Sequence, residues 1–199
     1  MTNSVLGVRT IQHTNGTDAM SIRSDGRVIP VVSGSIIQIQ YAQSLSHASN
    51  AFSNITYTKL TNFPSVSITP TSTSSKIMID VMWNGEFTPV ETAWGCVFML
   101  YRDDTLIKGN TETGLANTIP QGMFSAATSY TSADADSTPE RMVGRYFDEP
   151  STTSQITYFL GLFSGNGAGT VHINRTVAGT TSGGYERMIS NITATELAG

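Results

Sequence analysis

The sequence predicts an all-β protein, an antiparallel β-sandwich or barrel. Three observations lead there. Apolar residues recur at every second position in several segments, which sets them on one face of an extended strand. Turn-forming residues separate those segments. Convincing helical periodicity is missing, and only residues 42–51 would suit a single helical turn.

Residues 1–34 are polar and carry one hairpin signal. Met20, Ile22, Val28 and Ile29 lie in two short β-like runs on either side of Ser24-Asp25-Gly26. A segment this small cannot bury a core of its own. It must pack on the rest of the chain, on a neighbouring subunit or on another protein. The expected organisation is an N-terminal attachment or stalk segment, 1–34, followed by a β-sandwich head, 35–199.

Within the head, strands are expected at 35–41, 52–60 and 65–69. Ile77, Ile79, Val81 and Trp83 then alternate with Met78, Asp80 and Met82, and Asn84-Gly85 reads as a tight turn. Further strands are expected at 96–102 and 104–108, joined by the turn Arg102-Asp103-Asp104-Thr105, with Lys108-Gly109-Asn110 as the next turn. Residues 110–141 form a long stretch rich in Thr, Ser, Ala and Asp, and loops of that length inside compact domains are usually functional or mobile. A strand at 142–147 follows. Ile156, Tyr158, Leu160 and Leu162 alternate with Thr157, Phe159, Gly161 and Phe163, so both faces are largely apolar and the strand is expected to be central. Gly165-Asn166-Gly167 reads as a hairpin turn before Val171 and Ile173. Ser182-Gly183-Gly184 is a turn before the last alternation, Met188 to Thr195.

Composition excludes several classes. Charged residues are only 13% of the chain, against 39% hydrophobic, which is neither the profile of a disordered chain nor that of a coiled coil. A formal net charge of −4 argues against nucleic acid as the main partner. The single Cys96 rules out an internal disulfide and a cysteine-based zinc site. No apolar run reaches the ~20 residues of a membrane span, and Met1–Gly7 lacks the basic and apolar regions of a secretion signal. A soluble protein made in a cytoplasm, with no cofactor, is expected.

Candidate chemistry is sparse. Asp134 and Asp136, with Glu140 beyond, could offer oxygens to calcium, but the further donors and glycine turn of a full loop are missing. Asp148-Glu149 with Glu86 or Glu91 could supply the two carboxyls of a glycosidase, yet nothing fixes their separation. His13, His47 and His172 are far apart for a zinc trio, and a lone histidine in an alternating strand, such as His172, reads as a hydrogen-bonded surface residue. Gly-x-Ser-x-Gly is absent, which leaves a hydrolase triad without support. The protein is therefore not expected to be an enzyme. Phe124 and Tyr130 are aromatic residues in the long loop, suited to stacking on sugars or anchoring an interface. With Asp134 and Asp136 they are the candidate receptor contacts. Ile11, Met20, Ile22, Val28 and Ile29 are the apolar residues of the attachment segment.

Several motifs occur in an order that resembles a family. Gly16-Thr17-Asp18-Ala19-Met20-Ser21-Ile22 and Ser24-Asp25-Gly26-Arg27-Val28 are similar to a segment of tail-fibre and other appendage proteins of bacteriophages, marine ones especially. The resemblance continues through Val66–Pro70, Ser74–Ile79, Tyr146–Asp148, Thr153–Tyr158, Val171–Arg175 and Thr193–Leu197. It covers most of residues 10–197, and the order of the pieces carries more weight than any one of them. It implies a virion surface protein with a jelly-roll-like head related in architecture to trimeric C1q or tumour-necrosis-factor domains. Longer phage fibres carry a recognisable virion-anchoring domain, and here only about 30 residues precede the head.

The expected function is that of a virion structural protein, a homotrimeric fibre or tip contacting a glycan or protein of the host surface. Its N-terminal segment would dock on another virion protein. Two-sided apolar strands in a small chain fit a trimer, which buries one face around its axis. The alternative is a capsid decoration protein that clamps neighbouring capsid subunits, with 1–34 as its working surface.

Overall fold

The computed structural model describes residues 8–16, 18–22, 24, 26–30, 32–107, 122–126, 139–179 and 186–199. β1 (Thr10–Gln12), β2 (Asp18–Ile22) and β3 (Val28–Pro30) form a small sheet in that order. Ile22 faces Val28 across the expected hairpin. Gly26 stands in its turn at φ 83°, a left-handed conformation that costs glycine nothing because it has no Cβ.

The head begins with β4 (Ile36–Ser44) and continues through the short strands β5 (Ala48–Phe52), β6 (Thr56–Lys59) and β7 (Val66–Ile68). The long β8 (Lys76–Gly85) and the short β9 (Phe87–Thr88) come next. A 3-10 turn, Val90–Gly95, leads into β10 (Cys96–Arg102), and Asp103-Asp104 turns the chain into β11 (Thr105–Ile107). β12 (Phe124–Ser125), β13 (Glu140–Asp148), β14 (Ile156–Ser164), β15 (Gly169–Ile173) and β16 (Ser190–Leu197) complete the described strands.

These strands build an antiparallel β-sandwich. One sheet runs β13-β8-β16-β4. A second runs β11-β10-β14-β6, with β12 beside β10 and β7 beside β14. A third, β5-β15-β9, closes one end. The core lies between them. Ile77, Ile79, Val81 and Trp83 from β8 meet Ile192 and Ala194 from β16, Phe98 and Leu100 from β10, and Tyr158, Leu160 and Leu162 from β14, all buried. Burying each such large apolar side chain contributes roughly 1.5–3 kcal/mol. The centre is aromatic: Trp83 lies 5.2 Å from Phe98 and 5.4 Å from Phe87 between ring centroids.

The all-β expectation holds, and β14 is central as expected, with β10 on one edge and β6 and β7 on the other. Its Phe159 ring is covered by Lys59, whose Nζ stands 4.4 Å from the ring centroid. The Asp103-Asp104 turn also holds, with Arg102 opposite Thr105 and Asp103 at φ 52°.

Other expectations need correction. Residues 42–51 make no helical turn. They are the end of β4 and most of β5, because Ala42 and Ala48 pack on the core from extended backbone. Residues 52–60 are not one strand: the chain turns at Asn54-Ile55, where Ile55 takes φ 54° and its amide donates to the Ser164 carbonyl. Gly165–Gly167 is no hairpin, since both edges of β14 are already occupied, and β15 joins a different sheet. The loop is a tethered crossover instead. Its Gly165 amide donates to the Gly95 carbonyl, and its Gly167 amide donates to Asn54 Oδ1. Asn84-Gly85 is likewise no turn. It is the corner at which β8 leaves its sheet and β9 enters the next. A Cβ on Gly85 would run into the carbonyl of His172 on the crossing strand, so glycine is required for close approach. The turns expected at 108–110 and 182–184, and most of the long stretch 110–141, lie outside the described residues.

Two substitutions test this packing in urea denaturation. Leu160→Ala should cost about 2–5 kcal/mol through the cavity it leaves. Gly85→Ala should cost about 1–3 kcal/mol through overpacking at the corner, and both should leave the m-value unchanged.

Candidate interaction surface

The β13-β8-β16-β4 sheet turns one face to the core and the other outward. Register sets the outward side chains in rows across the four strands. Val143 lines up with Met82, Asn191 and Gln43, while Arg145 lines up with Asp80, Thr193 and Tyr41. In the next row Phe147 stands beside Met78, Thr195 and Ile39. Tyr41 is 76% exposed and Val143 69%, and Ile39 and Phe147 are more than half exposed. Apolar side chains thus occupy both edge strands and the middle of the sheet. One ion pair crosses the surface, with Arg145 Nε 2.7 Å from Asp80 Oδ1. Apolar side chains of β13, β8 and β4 flank the polar Asn191, Thr193 and Thr195 of β16, and large apolar side chains left exposed on a sandwich that already has a full core mark an interaction site.

Buried polar groups hold this sheet in place. Glu196, fully buried on β16, accepts hydrogen bonds from the Thr71 amide (2.6 Å), Thr71 Oγ1 (2.7 Å), Ser75 Oγ (2.6 Å) and Gln38 Nε2 (2.6 Å). Burial alone would push its carboxyl up. The donors from Ser75, Gln38 and Thr71 outweigh burial and hold it below the usual carboxylate range. Asp148, at the end of β13, takes both oxygens to Arg102 Nη1 on β10 at 3.0 and 2.8 Å, and accepts the Tyr158 hydroxyl of β14 at 2.6 Å. One carboxylate therefore ties two sheets together. That geometry engages both oxygens of Asp148, while Glu149 pairs with Lys76 at the surface.

His172 corrects its surface reading. It is buried on β15, where Nε2 meets Thr88 Oγ1 at 2.7 Å and its backbone carbonyl accepts the Trp83 indole N–H. The sheet β5-β15-β9 folds over this position from both sides, which period-two patterning cannot reveal. Its Nδ1 has no hydrogen-bond partner among the described residues. Cys96 is buried too and donates to the Thr92 carbonyl, and burial pushes its thiol up to about 11, which keeps it unreactive.

Among the described residues no three His, Cys, Asp or Glu gather as a metal site. His13 is exposed, His47 lies 2.9 Å from Arg187 Nη1, and His172 stands in the core, so the structure does not bring the three together. Glu86 is buried and accepts the Val177 amide. The side chain of Glu91 lies outside the described part.

Of the expected receptor contacts, Tyr130, Asp134 and Asp136 lie outside the described residues. Phe124 is half-buried on β12, opposite Phe98, and its ring fills the space where Gly144 lacks a side chain. Of the attachment residues, Ile11, Met20 and Val28 are exposed on the small N-terminal sheet, whereas Ile22 and Ile29 are half-buried. Sequence reasoning did not single out Tyr41, Val143 and Phe147 for the outward face. Two-sided apolar patterning was the available signal, since Met78 and Met82 alternate with the core residues of β8.

Stability should depend on pH through His172. Burial, and then the charge of Arg175, push its pKa from 6.5 down to about 4. Between those values the unfolded chain holds the extra proton, so stability is full above pH 6.5 and falls as the pH drops. Arg187 and Glu86 share this neighbourhood and interact with Arg175. Urea titrations at pH 7 and pH 5 should differ by about 2 kcal/mol. His172→Gln should remove that part of the slope, and an unchanged slope would contradict the burial argument.

The chain matches no protein-family model and no curated protein, so function is argued from its surfaces.

Proposed function

We propose that the protein is a structural component of a bacteriophage virion, a homotrimeric fibre tip that contacts the host surface. The observation that carries this reading is the outward apolar face of β13-β8-β16-β4. A face holding Tyr41, Val143, Ile39 and Phe147 in the open is costly in water and is stabilised by a second copy. Closed rotational symmetry lets identical faces meet around one axis, and it covers the edge strands β4 and β13 as well. The central pair Arg145 and Asp80 supplies charges of both signs, which suits a surface that meets its own kind.

The order of short motifs shared with phage appendage proteins supports the virion setting. A composition in which Ser and Thr make up about a quarter of the chain suits an exposed β-rich assembly. In this reading the small sheet β1-β2-β3, with Ile11, Met20 and Val28 exposed, docks on another virion protein. The host is met by the segment 110–141, through weak contacts multiplied by avidity across three chains. A capsid decoration protein is the second reading, favoured by those same exposed residues of β1–β3 as a clamp on capsid subunits.

Light scattering on the full chain tests the assembly. A mass of three chains is expected, reduced to one chain by Tyr41→Arg combined with Val143→Arg. A monomeric unsubstituted chain would overturn the trimeric tip. Copy number per virion separates the two readings: few copies for a fibre, and copies in proportion to the capsid lattice for a decoration protein.

A further inference from the structure

Asparagine precedes glycine three times in the chain, at Asn15-Gly16, Asn84-Gly85 and Asn166-Gly167. The pair is chemically special because glycine has no Cβ to shield its backbone nitrogen. That nitrogen can close onto the side-chain carbon of the asparagine in a five-membered ring. Ring closure needs a rotated backbone, so it depends on how firmly the chain is held. The local sequence makes the three sites alike, and the fold separates them.

Asn84 is buried at the corner between β8 and β9. Its Nδ2 donates to the Ile189 carbonyl at 2.6 Å, and its Oδ1 accepts from Arg141 Nε at 3.0 Å. Gly85 lies tight against the His172 carbonyl, which leaves no room for rotation. Asn166 is exposed, yet it is pressed against Gly95. The Gly167 amide, whose nitrogen would attack, donates to Asn54 Oδ1 at 2.9 Å, and the Gly167 carbonyl accepts from Ser164 Oγ at 2.7 Å. Rotation there must break a tether that reaches across the fold. The turn between β1 and β2 differs. His13, Thr14, Asn15 and Gly16 are all exposed. A Cβ placed on Gly16 would meet nothing within 4 Å, so the space for ring closure is open. The Gly16 amide donates to the His13 carbonyl at 2.9 Å, and the Asn15 amide donates to His13 Nδ1 at 3.4 Å. Both bonds lie inside the turn, and a surface turn opens at little cost.

We propose that Asn15 is a site of spontaneous deamidation, which modifies the small N-terminal sheet as the protein ages. The Gly16 nitrogen attacks Asn15 Cγ, its proton passes to the leaving amide nitrogen, ammonia departs, and a succinimide remains. Water then opens either carbonyl of the ring. One opening gives aspartate, and the other gives isoaspartate with an extra methylene in the main chain. Water is the only co-reactant. The product adds one negative charge to a chain whose formal net charge is −4. It also alters the turn that sets Ile11 opposite Met20, in a row that continues to Pro30. The chemistry takes place within one chain, so it stands apart from the trimer.

The test is to hold the full chain at mildly alkaline pH, digest samples under acid conditions that halt the reaction, and follow each asparagine peptide by mass spectrometry. Asn15 should convert about tenfold faster than Asn84 or Asn166, which react only when the surrounding structure opens. In concentrated urea the three should convert at similar rates, since the fold and not the local sequence makes the choice. Asn54→Ala, which removes the acceptor of the Gly167 amide, should speed conversion at Asn166. Asn15→Gln, whose longer side chain needs a six-membered ring, should remove the acidic species that ion exchange resolves from the aged chain. Nuclear magnetic resonance of the aged chain should place the shifted backbone amides at Ile11 and Met20 and leave β8 and β14 unmoved. The proposal is overturned if the folded chain keeps Asn15 while the chain in urea loses it. It is overturned equally if Asn84 or Asn166 converts as fast as Asn15 in the folded chain, or if Asn54→Ala leaves Asn166 unchanged, which would remove the basis of the selection. Either result leaves the mass and copy-number tests of the fibre tip untouched.

Discussion

The carboxylate of Glu196 is the point on which much of the head depends. A buried charge is tolerable only when its hydrogen bonds are fully made, and here four donors from three residues on two separate segments converge on it. Gln38 brings β4 to the carboxylate. Thr71 and Ser75 bring the connection that launches β8. Since β16 lies between β4 and β8, a single anion sets the position of both neighbours of its strand.

Asp148 plays the matching part across the sandwich. Its bonds to Arg102 and Tyr158 join the outward-facing sheet to the sheet behind it, while Glu196 works along one sheet. The outward apolar face is thus carried on a sheet clamped at two places. Such a face can stay exposed without collapsing inward, because the space beneath it is filled by Trp83, Phe98 and Leu162 and tied by charged hydrogen bonds. Where a turn of chain must cross between sheets, glycine appears: Gly85 lies beneath the His172 carbonyl, and Gly167 takes φ 95° in the crossover after β14.

Strand identity was legible in the sequence wherever alternation was clean. Ile77 to Trp83 and Ile156 to Phe163 announced β8 and β14, and even the central place of β14 followed from its two apolar faces. Pairing was not legible. Asn84-Gly85 and Gly165-Asn166-Gly167 look like hairpin turns because local backbone freedom is the same in a turn and in a sheet-to-sheet corner. Only the tertiary fact that the neighbouring edges are already occupied distinguishes them. His172 sits in a run that alternates, and no local pattern shows that a second layer closes over its polar side. The outward face escaped for a related reason, since Tyr41 and Ile39 alternate with Gln38 and Gln40. On β4 Gln38 turns inward to Glu196 while Ile39 and Tyr41 are exposed on the outward face, the reverse of the usual reading.

The pairing of β4 with β16 has a consequence for synthesis. Residues near 36 bond to residues near 197, so among the described strands β4 has no hydrogen-bonded ladder partner until β16 has emerged from the ribosome. Contacts this distant in sequence are made late and slowly. The outward face spans β13, β8, β16 and β4, and so it comes into being as a single surface only at that last step. A nascent or truncated chain that has not yet made β16 lacks the complete face, and therefore cannot offer a neighbour the surface that a finished chain presents.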